Sequence, residues 1–147
     1  MRFTKTLLCL MLMVPLLIIF GCSNDRLPQE VTAEEKRLEI VLKENPTTGY
    51  SWTMDDFDTT VLQLEKDEYS ASPTEGTVGS GGTHLYRFTG QKEGNVTLTF
   101  RYYRNWESKD TAIEVRSYSI FVTDDGKIYS VDVKNKEYVN HEKAGLL

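Results

Sequence analysis

Apolar and polar residues alternate along several short segments of this chain, and this pattern is the strongest constraint on its fold. The clearest case places Val96, Leu98, Phe100 and Tyr102 on one face of an extended segment. Because successive side chains of a strand point to opposite faces, the pattern predicts a strand with one buried face. Similar patterns predict six further strands, over residues 37–43, 50–54, 61–65, 83–89, 115–122 and 128–133.

These strands and the turn signals between them predict an all-β fold. No window of useful length has the 3.6-residue period of an amphipathic helix, and about seven short strands in one domain favour an antiparallel β-sandwich. The turn signal Asp124-Asp125-Gly126 joins the last two strands and predicts a C-terminal hairpin extension. A chain of 147 residues is long enough for one such domain with a buried core.

The N-terminal segment has the pattern of a secretory signal. Arg2 and Lys5 precede an apolar run over residues 7–20, which Pro15 interrupts. Fourteen helical residues would span about 21 Å, less than the roughly 30 Å of a bilayer core. A permanent membrane-spanning helix is therefore the weaker interpretation.

The end of this segment is similar to a bacterial lipobox, because Cys22 follows Ile19-Phe20-Gly21. In a lipobox the cysteine is acylated and becomes the new N-terminus after cleavage. We therefore expect a lipoprotein signal peptide at residues 1–21, a lipid on Cys22, and export to the bacterial cell envelope with anchorage to a membrane. An ordinary cleavage site that happens to precede a cysteine is the alternative.

The remaining chain divides by composition. Residues 22–36 are polar and predict a lipidated tether, in which Val31 favours a short edge strand. Residues 37–133 carry the strand patterns and predict the folded domain, and residues 134–147 predict a polar C-terminal tail.

Processing would leave 126 residues with 15 basic and 22 acidic side chains, a net charge of −7. This acidic balance argues against nucleic acid as a partner, because neutralising phosphates needs an excess of Lys and Arg. Cys9 leaves with the signal, so no disulfide can form within the domain, and burial of the core must stabilise it.

Three connections between strands differ from simple turns: residues 45–49, 67–82 and 104–111. Strand direction alternates in a sandwich, so connections that follow every second strand emerge at the same end. We expect all three to cluster at one end of the domain. The middle one spans 16 residues, a length typical of functional loops.

Catalytic and metal-binding patterns are missing from the sequence. Its two histidines, His84 and His141, lie 57 positions apart, which gives no ligand spacing for a metal. His84 fits an ordinary strand position, and the glycines at 79–82 precede a strand rather than the helix that a phosphate site needs. We predict neither an enzyme nor a bound cofactor or metal.

The three connections carry motifs in which the sequence resembles a known family, the chagasin-like inhibitors of papain-family cysteine peptidases. That family is marked by Asn-Pro-Thr-Thr-Gly, Gly-x-Gly-Gly and Arg-Pro-Trp in this order. The resemblance covers residues 37–122 and assigns peptidase binding to Asn45, Pro46, Thr47, Thr48, Gly49, Gly79, Ser80, Gly81, Gly82, Arg104, Asn105 and Trp106.

The resemblance implies an immunoglobulin-like sandwich that inhibits a papain-family peptidase reversibly, as a monomer, by filling the active-site cleft with three loops. Asn105 departs from the family's proline, so we expect a less rigid third loop. Trp106 and Arg104 are residue types common among binding hot spots. The alternative is an envelope immunoglobulin-like lipoprotein that binds a glycan or another envelope protein through the same loops.

One tryptophan in these segments is expected to have a structural role instead. Trp52 shares a strand face with Tyr50 and Met54, so we predict that it packs in the core. Tyr102 and Tyr103 point to opposite faces of their strand, which predicts one core and one surface side chain.

Overall fold

The computed structural model describes residues 27, 29–72 and 81–138, and these residues form an all-β domain. The signal peptide expected at residues 1–21, Cys22, Gly79 and Ser80 lie outside the described residues. Two single 3₁₀ turns are present, Pro46–Thr48 and Lys109–Thr111. The eight strands are β1 (Val31–Glu34), β2 (Arg37–Glu44), β3 (Tyr50–Met54), β4 (Leu62–Ala71), β5 (Gly82–Gly90), β6 (Gly94–Arg104), β7 (Glu114–Val122) and β8 (Ile128–Tyr138).

The strands form two four-stranded antiparallel sheets with the orders β1-β2-β5-β4 and β3-β6-β7-β8. The apolar faces of the two sheets meet in one core, so the domain is the expected immunoglobulin-like sandwich. All seven strands predicted from the alternating pattern are present. The eighth is β1, the short edge strand around Val31.

The core follows the alternating pattern closely. Leu38, Ile40 and Leu42 point inward from β2, while Leu98 and Phe100 point inward from β6, and all five are fully buried. Burying each such side chain contributes roughly 1.5 to 3 kcal/mol to folding. This burial stabilises a domain whose strands contain no cysteine.

Trp52 is part of this core, as predicted, with only 4% of its surface exposed. Its Nε1 donates to the Lys43 carbonyl at 2.8 Å, and its own carbonyl accepts a hydrogen bond from the Tyr86 hydroxyl at 3.1 Å. Both bonds link one sheet to the other. Trp52 therefore fixes the position of β3 against β2 and β5.

The sheets extend beyond the domain boundaries expected at residues 37 and 133. Val31 pairs with Ile40 at the start of β1, and Tyr138 pairs with Glu114 at the end of β8. Part of the expected tether and part of the expected tail are therefore strand. In both segments polar side chains dominate, and backbone pairing at a sheet edge leaves them in solvent.

The middle connection is shorter than the 16 residues expected. Tyr69 pairs with His84 and Ala71 pairs with Gly82, so both strands continue past the expected ends of the loop. The connection therefore spans residues 72–81, and the Ser72 amide donates to the Gly81 carbonyl across its base at 3.0 Å. The polar outward face of β4 concealed this extension in the sequence.

Among the described residues, no helix is long and apolar enough to cross a membrane.

Candidate functional site

The connection between β2 and β3, residues 45–49, is called loop 1. It contains one turn of 3₁₀ helix, which Pro46 begins and Gly49 ends. Gly49 adopts a positive φ of 84°, a conformation that glycine reaches without strain. Its amide donates to the Pro46 carbonyl at 2.9 Å, and the Thr48 amide donates to the Asn45 carbonyl at 3.1 Å. The backbone of loop 1 is therefore a closed turn rather than an extended segment.

The two threonines of loop 1 reinforce this turn. The Thr48 hydroxyl donates to the Asn45 carbonyl, and the Thr47 hydroxyl donates to the Asn45 side-chain oxygen, each at 2.6 Å. Pro46, Thr47 and Thr48 are nevertheless exposed. Loop 1 thus offers a small polar surface, and the hydroxyl groups of its two threonines already donate hydrogen bonds within the turn.

Tyr102 anchors loop 1 to the sandwich. Its hydroxyl accepts a hydrogen bond from the Asn45 amide at 3.0 Å, and its ring stacks on Trp52 with centroids 4.9 Å apart. Sequence reasoning assigned the tyrosine only to a strand face. The signal that could have identified it is its position on β6, directly across from Trp52 in the pairing with β3.

The connection between β4 and β5, residues 72–81, is called loop 2, and its described end packs against loop 1. A Cβ at Gly81 would lie 2.6 Å from the Glu44 carbonyl oxygen and 3.2 Å from the Asn45 Cβ. At Gly82 a Cβ would overlap the Ser70 carbonyl. These two glycines are therefore needed for packing within the domain, whereas the resemblance assigned them only to peptidase binding.

An open cavity of about 480 Å³ lies between loops 1 and 2. Its lining includes Asn45, Ser72, Gly81, Thr83 and Tyr102. The cavity is a recess in which a partner could place a side chain.

The connection between β6 and β7, residues 105–113, is called loop 3, and it projects Trp106 into solvent with 68% of its surface exposed. The indole lies over Gly49. A Cβ built on that glycine would overlap Cη2 of the ring and lie 3.1 Å from Cζ2. Loops 1 and 3 therefore touch, and the absence of a side chain at Gly49 makes room for the indole.

Arg104, at the end of β6, packs against the domain. Its guanidinium lies 4.8 Å above the Tyr50 ring, and Nη1 contacts Glu107 Oε1 at 3.4 Å. Its buried Nε has no hydrogen-bond partner among the residues that the structure describes. Arg104 thus supports the base of loop 3, in addition to any contact with a partner.

Loop 3 is tied by its own polar groups. The Glu107 amide donates to the Arg104 carbonyl at 2.8 Å, and the Thr111 hydroxyl donates to the Ser108 carbonyl at 2.8 Å. Ser108 also caps the 3₁₀ turn by accepting from the Asp110 amide. These bonds constrain a loop in which exposed Asn105 takes the place of the family's proline.

Asp55, just after β3, connects loop 3 to the sandwich. Its carboxylate accepts hydrogen bonds from Arg101 Nε at 2.7 Å and from Lys109 Nζ at 3.0 Å. Partial burial favours the neutral acid, but the hydrogen bonds and the two positive charges outweigh burial and hold the pKa of Asp55 below its ordinary value. Asp55 thus forms ion pairs with Arg101 of β6 and Lys109 of loop 3.

The described residues of loops 1, 2 and 3, together with Gly82 and Arg104, are called the rim. Ten of the twelve residues assigned to peptidase binding are described, and they lie on this continuous surface, because loop 1 contacts Gly81 on one side and Trp106 on the other. Their role in binding stays a prediction. No group of His, Cys, Asp and Glu suited to a metal is found within the described part of the chain.

Three comparisons relate this chain to known proteins. The family model described as Chagasin family peptidase inhibitor I42 matches residues 32–122. Amoebiasin-2 of Entamoeba histolytica is 29% identical over 86 residues, which cover 58% of this chain and 69% of that protein. Amoebiasin-1 of the same organism is 32% identical over 76 residues, covering 50% and 71% respectively.

A solved structure agrees with these matches. The crystal structure of the cysteine protease inhibitor EhICP2 from Entamoeba histolytica is similar with a TM-score of 0.51 at 30% identity. The similarity covers 56% of this chain and 75% of the EhICP2 chain.

The family match includes 91 of the 147 residues and extends from β1 to the end of β7, so it contains the whole rim. Strand β8 lies beyond it. Since the family consists of peptidase inhibitors, the expectation that this protein is not an enzyme is confirmed. The chain belongs to the chagasin family of peptidase inhibitors.

Proposed function

We propose that this protein is a reversible inhibitor of papain-like cysteine peptidases and that the rim occludes their active-site cleft. The observation that carries the proposal is the contact between Trp106 and Gly49, which joins the first and third motifs into one surface. The family match and the similarity to EhICP2 support the peptidase class.

Loop 1 has the geometry that an inhibitor of such an enzyme needs. A papain-like cleft holds a thiolate beside an imidazolium and attacks the carbonyl of an extended peptide. Loop 1 is instead a closed turn, in which the carbonyls of Asn45 and Pro46 already accept hydrogen bonds from Thr48 and Gly49. Loop 1 can therefore enter the cleft without presenting a peptide carbonyl in the extended geometry that the thiolate attacks.

Trp106 would supply much of the binding energy. Its indole is exposed in the free protein, so docking would bury a large apolar surface, and Gly49 leaves room for the ring against loop 1. Three loops on one end of the domain are consistent with an interface of around 800 Å² per partner.

Lipid anchorage is a second part of the proposal. It rests on the signal and the cysteine at position 22, which are features of the sequence alone. A monomer held at the bacterial envelope by a lipid on Cys22 would protect that surface from peptidases. Metabolic labelling with a fatty acid tests this, and Cys22→Ser should abolish incorporation.

A titration tests the inhibitory function. The chain from Ser23 onward is added to a fixed concentration of active papain, and hydrolysis of a peptide substrate is followed. Stoichiometric, reversible loss of activity is expected. Full activity at micromolar excess of the chain would overturn the proposal, and binding of the same rim to a glycan array would then support the alternative function.

A further inference from the structure

His84 bridges two carboxylates on neighbouring strands of one sheet. Its Nδ1 lies 2.5 Å from Glu44 Oε2, and its Nε2 lies 2.5 Å from Asp67 Oδ1. Glu44 ends β2, Asp67 belongs to β4, and His84 belongs to β5 between them. One imidazole therefore joins three adjacent strands, and we call the three side chains the His84 cluster.

The His84 cluster lies at the base of the rim. Glu44 immediately precedes Asn45 of loop 1, its side chain is buried, and its backbone pairs with Gly82 at the end of loop 2. A change in the position of Glu44 would therefore act on loops 1 and 2 together.

The imidazole is also held from the core side. It stacks on Tyr86 with ring centroids 4.4 Å apart and planes nearly parallel, and the Tyr86 hydroxyl is bonded to the Trp52 carbonyl. His84 therefore has little freedom to turn away from its two carboxylates. Tyr69 on β4 is a further titratable neighbour, because it pairs with His84 across the sheet.

The two short contacts require the protonated ring. A neutral imidazole has one N–H group and can donate to one carboxylate, whereas the cation donates from both nitrogens. Burial opposes the charged form, but hydrogen bonds from the ring to Glu44 and Asp67, with their negative charge, outweigh it and raise the pKa of His84 above its ordinary value.

We propose that protonated His84 is a positioning residue, which holds the bases of loops 1 and 2 in the arrangement that docks to the peptidase. The inhibitor should then bind more tightly in acid than above neutral pH. This inference rests on the proposed function. It concerns the base of the rim and adds no contact with the enzyme.

The direction of the pH effect follows from proton linkage. A group that binds its proton more tightly in the folded protein stabilises the fold fully below its unfolded pKa, which is about 6.5 for histidine. That stabilisation is lost as the pH rises through the folded pKa. The loss leaves one of the two carboxylates facing a nitrogen lone pair and weakens the link from His84 to β2 or to β4.

The test compares the inhibition constant of the full mature chain with that of His84→Gln between pH 5 and pH 8. The ratio of the two constants at each pH removes the titration of the peptidase itself. We expect His84→Gln to bind about tenfold more weakly at pH 5, because two charge-assisted hydrogen bonds are lost, and the difference to shrink as the pH rises through the folded pKa of His84. A ratio that stays constant across this range would overturn the proposal.

Asp67→Asn provides a second variant, with Glu68→Gln as its matched control. Both remove one carboxylate from β4, but Glu68 pairs with Lys66 instead of His84. Asp67→Asn should move the pH dependence of inhibition to lower pH, while Glu68→Gln should leave it unchanged. Equal effects of the two substitutions would show a general charge effect and contradict the proposal.

An NMR titration separates this inference from the proposed function. The amide signals of Asn45 to Gly49 should follow the titration of the His84 ring, and His84→Gln should abolish this response. A protein that fails to inhibit papain but shows the coupling would contradict the inhibitory function and leave the positioning role supported. If the amide signals of loop 1 do not change as His84 titrates, the positioning role is overturned, whether or not the protein inhibits papain.

Discussion

The indole of Trp106 lies directly over Gly49, so closely that even a methyl group on Gly49 would overlap the ring. The two residues are 57 positions apart and belong to different loops. A glycine at position 49 therefore meets two requirements, a positive φ of 84° and space for the indole. The first and third sequence motifs depend on each other through this contact.

Substitution of Gly49 should test that dependence. Gly49→Ala combines backbone strain with a clash against Trp106, so we expect a loss of about 1 kcal/mol or more in folding stability and at least tenfold weaker inhibition. In a Trp106→Ala background only the backbone strain remains, so the additional effect of Gly49→Ala should be smaller. The parent, the two single variants and the double variant form a double-mutant cycle, which thermal denaturation and inhibition constants measure. Strictly additive effects of the two substitutions would contradict the contact between Gly49 and Trp106.

Trp106 itself should contribute to binding rather than to folding. Its indole is largely exposed, so Trp106→Ala should weaken inhibition at least tenfold with little change in melting temperature. Tyr129→Ala is the control, because Tyr129 is equally exposed at 75% but lies on β8, away from the rim. A large drop in melting temperature for Trp106→Ala would assign the residue to the fold instead.

The Tyr102 hydroxyl should hold loop 1 in place. Tyr102→Phe keeps the ring stacked on Trp52 but removes the acceptor for the Asn45 amide, so we expect a loss of about 1 kcal/mol and weaker inhibition. Tyr103→Phe removes a hydroxyl from the opposite face of the same strand and serves as the control. If both variants inhibit like the parent, the hydrogen bond between the Asn45 amide and the Tyr102 hydroxyl does not contribute to inhibition.

Asp55 should make the folding stability of the domain decrease at acidic pH. Its pKa is lowered in the folded protein, so its contribution is present above the unfolded pKa of about 3.9 and is lost as the pH falls through the folded value. Asp55→Asn should therefore cost about 1 kcal/mol at pH 7 and progressively less below pH 4. Denaturant titrations measure the difference, with Asp56→Asn as control, and a cost independent of pH would exclude the ion pair as its cause.

The sandwich could be predicted from the sequence because its strands bury one face against a single core. Leu98 and Phe100 show that pattern most clearly, and both are fully buried. The extension of β4 to Ala71 could not be predicted, since residues 66–71 are mostly polar and show no apolar alternation, and pairing with β5 places them in the sheet. Where only backbone pairing holds a segment in a sheet, its sequence shows no alternation of apolar and polar residues.

The rim was only partly predictable, for a related reason. The motifs gave Gly81 and Trp106, but the packing of Gly81 against Asn45 and of Trp106 against Gly49 depends on how distant segments meet. The same applies to Tyr102, whose hydroxyl accepts from a loop 57 residues earlier. Contacts of this kind follow from the completed fold.

Protection of the catalytic thiol tests the central claim most directly. The chain from Ser23 onward contains no cysteine, so iodoacetamide added to its mixture with papain can alkylate only the enzyme. If the rim fills the cleft, the rate of alkylation should fall in proportion to the complex formed, and Trp106→Ala should restore it at equal concentration. A complex that forms while the thiol is alkylated at the full rate of free papain would contradict occlusion of the active site.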